Sequence, residues 1–169
     1  ISNILGTLGV NGGANLFLLN PNGIIFGENA RLDINGSFVG STANAIGFEN
    51  QGFFSATDPQ IPSQLLTVKP DAFFFNQLQP GKIENSSIAP LENNFFGLKV
   101  PDNRSLLLVG GEIAINGGKL NANGGRVELA ALAGNGTVGL NFNANDLSLT
   151  VPNDVERADA SLNNLAFID

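Results

Sequence analysis

Apolar segments of three to five residues, each closed by a glycine or asparagine corner, run through most of this 169-residue chain. Leu106-Leu107-Leu108-Val109, Glu112-Ile113-Ala114-Ile115, Lys119-Leu120-Asn121-Ala122 and Arg126-Val127-Glu128-Leu129 follow one another in the second half. Gly110-Gly111, Asn116-Gly117-Gly118 and Asn123-Gly124-Gly125 separate them. Strands this short cannot build a sheet of their own, so each must stack on the equivalent strand of the next turn of a coil. The run apolar-x-apolar-Asn-Gly at Leu32 to Gly36 returns at Ile113 to Gly117 as a weak internal repeat. Three short strands per turn with small residues at the corners is the logic of an all-β, right-handed parallel β-helix. Asn-Gly is also a strong hairpin signal, which keeps an antiparallel sandwich in competition. Sandwich strands usually run to about five or six residues, longer than these. The first half shows no 3.6-residue apolar period.

One stretch joins two such strands: Asn15-Leu16-Phe17-Leu18-Leu19, then Asn20-Pro21-Asn22-Gly23, then Ile24-Ile25-Phe26-Gly27. Pro21 sets φ for the second position of a turn, Asn20 can bond its own backbone at the first, and Gly23 relieves the exit. A type I turn fits, and so does a turn with Asn22 left-handed. Taken alone the stretch is an ordinary tight turn, and Pro21, with no N–H to donate, forces the chain to change direction there.

The size is right for one domain with a sizeable core. Apolar residues make up 43% of the chain but charged ones only 14%, against about a quarter in an average domain. Solubility therefore rests on uncharged polar groups, asparagine above all, and long Glu/Lys-laced surface helices are unexpected. A net charge of −7 and a pI near 4.4 argue against nucleic acid or anionic lipid as partners. The chain has no Cys, His, Met, Trp or Tyr, which removes disulfides and the thiolate and imidazole chemistry of nucleophiles and metal sites. No run approaches the roughly 20 apolar residues of a bilayer span. The chain starts at Ile1 without Met, which is read as an excised piece with any export signal upstream.

Residues 50–100 differ in character, with five prolines (59, 62, 70, 80 and 90), a sixth at 101, and the clusters Phe53-Phe54, Phe73-Phe74-Phe75 and Phe95-Phe96. The expectation is an irregular excursion, hairpins or a loop laid over the regular part, because so many phenylalanines need burial. Regular alternation returns from Thr137 to Thr150. The domain is expected to span residues 1–152. Residues 153–169, where charge density rises, are expected to be a tail or the start of a following region, with Ala158 to Leu165 a short helix or a fraying end.

A β-helix can also house polysaccharide lyases and hydrolases, which need paired carboxylates or acidic Ca²⁺ ligands. The fifteen acids are scattered, and Asp154-x-Glu156 is the nearest pair. Glu112 and Glu128 are expected on neighbouring strands near Lys119 or Arg126, as solvent-facing charge pairs. No glycine pair forms a phosphate loop. No catalytic residue, cofactor or metal is expected, and the chain is read as a non-enzyme.

The run Ala14 to Gly27, followed by Ala30-Arg31-Leu32, Gly36-Ser37-Phe38 and Ser41-Thr42-Ala43, resembles the haemagglutination-activity domain of filamentous haemagglutinins. This is the secretion domain of two-partner secretion exoproteins. Gly110-Gly111-Glu112-Ile113 and Gly124-Gly125-Arg126-Val127-Glu128-Leu129 resemble the versions in large cyanobacterial exoproteins. The resemblance covers about residues 1–135 and implies a right-handed β-helix with extra-helical hairpins at the N-terminus of a long secreted protein. It implies recognition in the periplasm by an outer-membrane β-barrel transporter with soluble modules, export to the cell surface, and often adhesion. The family's N-terminal cap and early coils are expected to be missing before Ile1, leaving an open β-helix end through which the fragment could associate. Asn20, Pro21, Asn22, Gly23 and Ile24 form the family motif, read as a structural corner more than a direct transporter contact. A glycan-binding adhesin module and, more remotely, a carbohydrate-active enzyme are the alternative functions.

Overall fold

The structure is a computed structural model that describes residues 1–58, 68–144 and 146–169. Its core is a parallel β-helix whose every full turn has three strands, one on each of three faces. The first turn is β1 (Ser2–Ile4), β2 (Thr7–Gly9) and β3 (Leu16–Leu19), and the second is β4 (Ile24–Phe26), β5 (Arg31–Asp33) and β6 (Phe38–Ser41). The chain then leaves through β7 (Ala45–Gly47), β8 (Phe53–Ser55) and β9 (Ala72–Phe75). It rejoins as β10 (Ile83–Asn85), β11 (Leu98–Lys99) and β12 (Ser105–Gly110), then β13 (Ile113–Asn116), β14 (Lys119–Asn121) and β15 (Arg126–Ala131). A second departure, β16 (Gly136–Asn143) and β17 (Asp146–Thr150), precedes β18 (Ala160–Asn163) and β19 (Phe167–Ile168).

The first face is the five-stranded parallel sheet β1-β4-β10-β13-β18. The second carries β2-β5 and β11-β14-β19, and the third is β3-β6-β12-β15, all parallel. Parallel crossovers of this kind take the right-handed sense. No α-helix occurs among the described residues.

Registry explains why three-residue strands suffice. Ile24, Ile83 and Ile113 stack in one inward column, and Phe26 and Ile115 flank the inward Asn85 in the next. All three isoleucines are fully buried, so each rung finishes the apolar layer that its neighbour begins. Phe26 meets Phe38 edge-on, 5.9 Å between ring centroids at 81°, the arrangement the ring quadrupoles favour.

The third face is buried on both sides. Phe38, Leu106 and Leu108 point into the coil, while Val39, Leu107 and Val109 point outward into a second core. That second core lies under an antiparallel sheet, β17-β16-β9-β7-β8, built from the two departures. Phe73, Phe75, Val138, Leu140 and Leu147 supply its inner face. A strand buried on both faces reads as a continuous apolar run, which is what Leu106 to Val109 is.

Two segments differ from the sequence-based expectation. Residues 50–100 are not one excursion: the chain is back in the coil by Ile83, and residues 83–85 and 98–99 are ordinary rungs. Proline sits at corners there, so Pro80, Pro90 and Pro101 lie outside strands and cost no ladder bond. Pro59 and Pro62 lie outside the described residues. At the far end, neither helix nor fraying tail forms over residues 158–165. β18 pairs with β13 from Ala160 to Asn163 and β19 pairs with β14, because the exposed rung of the fourth turn offers unpaired backbone groups.

Candidate recognition corner

The motif residues Asn20 to Ile24 occupy the corner between the third face and the first, joining β3 to β4. The Gly23 N–H donates to the Asn20 carbonyl (3.0 Å) and the Asn22 N–H to Asn20 Oδ1 (3.0 Å). Gly23 has φ +119° and Asn22 is not left-handed, so of the two turns compatible with the sequence the one without a left-handed Asn22 is present. Pro21, Gly23 and Ile24 are buried, Asn20 is half-buried and Asn22 is exposed.

Asn20, Gly23 and Ile24 are each tied to an adjoining coil. Asn20 Nδ2 donates to Ser2 Oγ (2.8 Å), and the Asn20 N–H to the Ser41 carbonyl (3.0 Å). The Ser2 N–H donates to the Gly23 carbonyl (2.9 Å), and the Ile24 N–H to the Lys82 carbonyl (3.0 Å). Both departures leave the coil at this same corner, one after β6 and one after β15. The motif therefore sits beneath the point where the first departure leaves at Ser41-Thr42 and returns at Pro80-Gly81. A Cβ on Gly81 would come within 2.5 Å of the Pro21 carbonyl oxygen, so only glycine lets the returning chain lie flat on the turn. Thr42 Oγ1 donates to the Gly81 carbonyl (2.8 Å) and accepts from the Gly111 N–H (3.3 Å), which closes the column one rung further on.

Beside the corner lies a depression of about 500 Å³ bordered by Asn22, Pro80, Gly81, Lys82 and Glu112. Lys82 Nζ and Glu112 Oε2 are 2.7 Å apart across it, and the hydrogen bond to Glu112 raises the Lys82 pKa. Glu112 thus pairs with Lys82, not Lys119, because coil stacking puts residue 82 alongside 112. Lys119 instead donates to the Leu165 carbonyl (3.1 Å). Nor are Glu112 and Glu128 on neighbouring strands: Glu112 precedes β13 on the first face and Glu128 lies in β15 on the third.

Arg126 does pair with Glu128 (3.0 Å) and also with Asp146 (3.1 Å). Those groups, with Ser105, fasten the β16–β17 hairpin to the coil. The Leu147 N–H donates to Ser105 Oγ (2.7 Å), Ser105 Oγ donates to Asp146 Oδ1 (2.6 Å), and the Leu149 N–H donates to Glu128 Oε2 (2.7 Å). Side chains thereby satisfy the N–H groups of an edge strand. Burial pushes the Asp146 carboxyl up, but the Ser105 hydroxyl, the Arg126 guanidinium and the Leu147 N–H together hold it below its ordinary value. Neither Ser105 nor Asp146 stands out in the sequence, since each is only the last residue of a polar stretch before an apolar run. Asp154 and Glu156 are both exposed, between β17 and β18.

A coil of three parallel faces with further strands laid over one of them places the chain in the parallel β-helix class. The family model of the TPS (two-partner secretion) secretion domain matches residues 1–169, and the chain belongs to that family. No curated protein matches the chain.

Proposed function

We propose that this domain is recognised in the periplasm by the soluble modules of an outer-membrane β-barrel transporter, and that this recognition starts export of the exoprotein to the cell surface, where it serves adhesion. The match of the family over all 169 residues carries the reading. The net charge of −7 favours a basic face on the transporter modules, at short range at physiological salt. The domain acts by being bound and not by catalysis.

Within that function, Asn20, Pro21, Gly23 and Ile24 work through the shape of the corner. Polar groups of Asn20, Gly23 and Ile24 are spent on Ser2, Ser41 and Lys82, and Asn22 is the exposed residue of the motif. Export of the full-length exoprotein by its transporter tests this, read beside the thermal stability of the domain. Asn20→Ala, which strands Ser2 and the Asn22 N–H, is expected to cost about 1–2 kcal/mol and to lower export in proportion. Asn22→Ala is expected to leave both unchanged. Abolished export from Asn22→Ala at full stability would make the motif a direct contact instead, and undiminished export after deletion of residues 20–27 would remove the corner from the process.

A further inference from the structure

Between β10 and β11 the chain makes a small hairpin at the corner between the first and second faces. Pro90 and Phe96 form an antiparallel bridge, and the Leu91 N–H donates to the Phe95 carbonyl (2.9 Å). Asn93 and Asn94 are both left-handed, at φ 57° and 62°, as the two central residues of a type I′ turn must be. The coil does not need this hairpin, because one rung on Gly117-Gly118 alone carries the chain from β13 to β14 at the same corner. The connection leaves Ile88 and Phe96 exposed. Beside β5 the hairpin walls a notch of about 240 Å³, bordered by the apolar Leu32, Leu91, Val100 and Pro101 and by the polar Glu92 and Lys99.

The second face is also the place where an acidic chain displays cations. Leu32, Leu98 and Leu120 pack into the coil, so their neighbours Arg31, Lys99 and Lys119 point outward from β5, β11 and β14, on three successive rungs. None of the three has a carboxylate within 4.0 Å among the described residues, whereas Lys82 and Arg126 do. Lys99 Nζ lies 3.9 Å from the Phe95 ring centroid and Lys119 Nζ 5.9 Å from that of Phe167. A ring face attracts an ammonium without neutralising it, so both charges stay available to a partner.

We propose that this surface binds an extended acidic polypeptide segment of the pattern apolar-x-acidic-x-acidic. The apolar side chain enters the notch, and the two carboxylates meet Lys99 and then Lys119, in the order of the rungs. Leu98 is in register with Leu120, so Lys99 and Lys119 lie one rung apart and two residues apart along the strand direction, about 8 Å between Cα positions. Alternate side chains of an extended segment point the same way about 7 Å apart, within reach of two flexible lysines. The notch favours a polypeptide over nucleic acid or acidic polysaccharide, which carry no aliphatic side chain to fill it. The net charge of −7 favours a short acidic cluster over a long polyanion, because beyond the Debye length of about 8 Å the three cations no longer offset the rest of the molecule. The surface shares no residue with the corner Asn20 to Ile24 or with the hairpin latch, so its test stands apart from export.

The test is fluorescence anisotropy of labelled peptides titrated with the 169-residue chain. The peptide Ser-Leu-Ser-Glu-Ser-Glu-Ser, blocked at its C-terminus, is expected to bind at up to millimolar protein and to weaken as salt is raised. Replacing both Glu by Lys is expected to abolish binding, and replacing Leu by Ser to weaken it. The double variant Lys99→Gln, Lys119→Gln is expected to weaken binding about tenfold with the thermal transition unmoved. Lys82→Gln, which removes a cation on another face, is expected to leave it unchanged. No binding of the Glu peptide overturns the proposal, as does equal binding of the Lys peptide. An equal loss from Lys82→Gln and from the double variant also overturns it, and so does tighter binding of dextran sulfate than of the peptide.

Discussion

Leu107 and Leu108 are consecutive residues of β12, both fully buried, yet they belong to different cores. Leu108 packs inside the coil with Phe38 and Leu106; Leu107 packs outside it, under Phe73, Val138 and Leu147. If the antiparallel sheet seals the third face, Leu107→Ala costs as much as Leu108→Ala. Each removal forfeits the transfer free energy of the lost carbons plus the cavity left behind, about 2–5 kcal/mol for a buried leucine. Taking about 3 kcal/mol and a urea slope of about 2 kcal/mol/M, each variant unfolds at a midpoint about 1.5 M lower with unchanged slope. Equilibrium urea unfolding followed by far-UV circular dichroism measures this. A double-mutant cycle sharpens it: Phe73→Ala is expected to couple with Leu107→Ala, which shares its core, and to add independently with Leu108→Ala. A cost below about 1 kcal/mol for Leu107→Ala, beside a full cost for Leu108→Ala, would show that the cover is open in solution.

Two further outcomes follow from particular contacts. The Asp146 carboxyl is held below its ordinary value of 3.8, so its contribution is fully present above the unfolded value and is lost as pH falls through the folded one. Urea melts of Asp146→Asn and the wild type should therefore differ most at neutral pH and converge in acid; a gap constant with pH would refute the latch. Gly81→Ala sets a Cβ 2.5 Å from the Pro21 carbonyl oxygen and is expected to cost about 1–3 kcal/mol, whereas Gly6→Ala, with nothing within 4 Å, should stay within about 0.5 kcal/mol. Equal thermal shifts for the two would contradict the stacking of the returning chain on the corner.

The coil was legible in the sequence because its period is carried by residue types that have few other uses. Asn-Gly and Gly-Gly corners at short intervals leave no room for helix or long strand, and Ile113-Ala114-Ile115 shows its inward and outward sides at once. The return to the coil at Ile83 was not legible, because Ile83-Glu84-Asn85 is only three residues long and stands between prolines and phenylalanines that suggest irregular chain. The final rung escaped for a related reason: Ala160 and Leu162 are its only inward apolar residues, amid the charges of residues 154–159. The double burial of the third face was written in the unbroken run Leu106 to Val109, but a run alone does not say what covers its second side. The outward column of the first face could not be read at all. Ile25, Glu84, Ala114 and Ser161 are brought together by turns of unequal length, so no spacing in the sequence announces them.

Both departures leave at the corner between the third and first faces, and that shared exit has a structural consequence. A departure at a corner interrupts no strand, so the ladder above and below remains intact, and lengthening the loop adds only a slowly growing closure entropy. Because the two leave from the same corner two rungs apart, they emerge side by side, and β9 of one pairs antiparallel with β16 of the other. The two-stranded β16–β17 hairpin would be marginal at best alone in water; joined to the three strands of the first departure, it makes a five-stranded sheet with one apolar face, and the third face of the coil supplies the surface that face needs. The first turn makes the same corner with no departure, as Asn20-Pro21-Asn22-Gly23. A tight, fixed turn is required there because the chain returning at Gly81 lies directly on it. The motif is thus the base on which the rest of the corner column is stacked, which is why a change at Asn20 is expected to be felt as far away as the hairpin sheet, while a change at Asn22 is not.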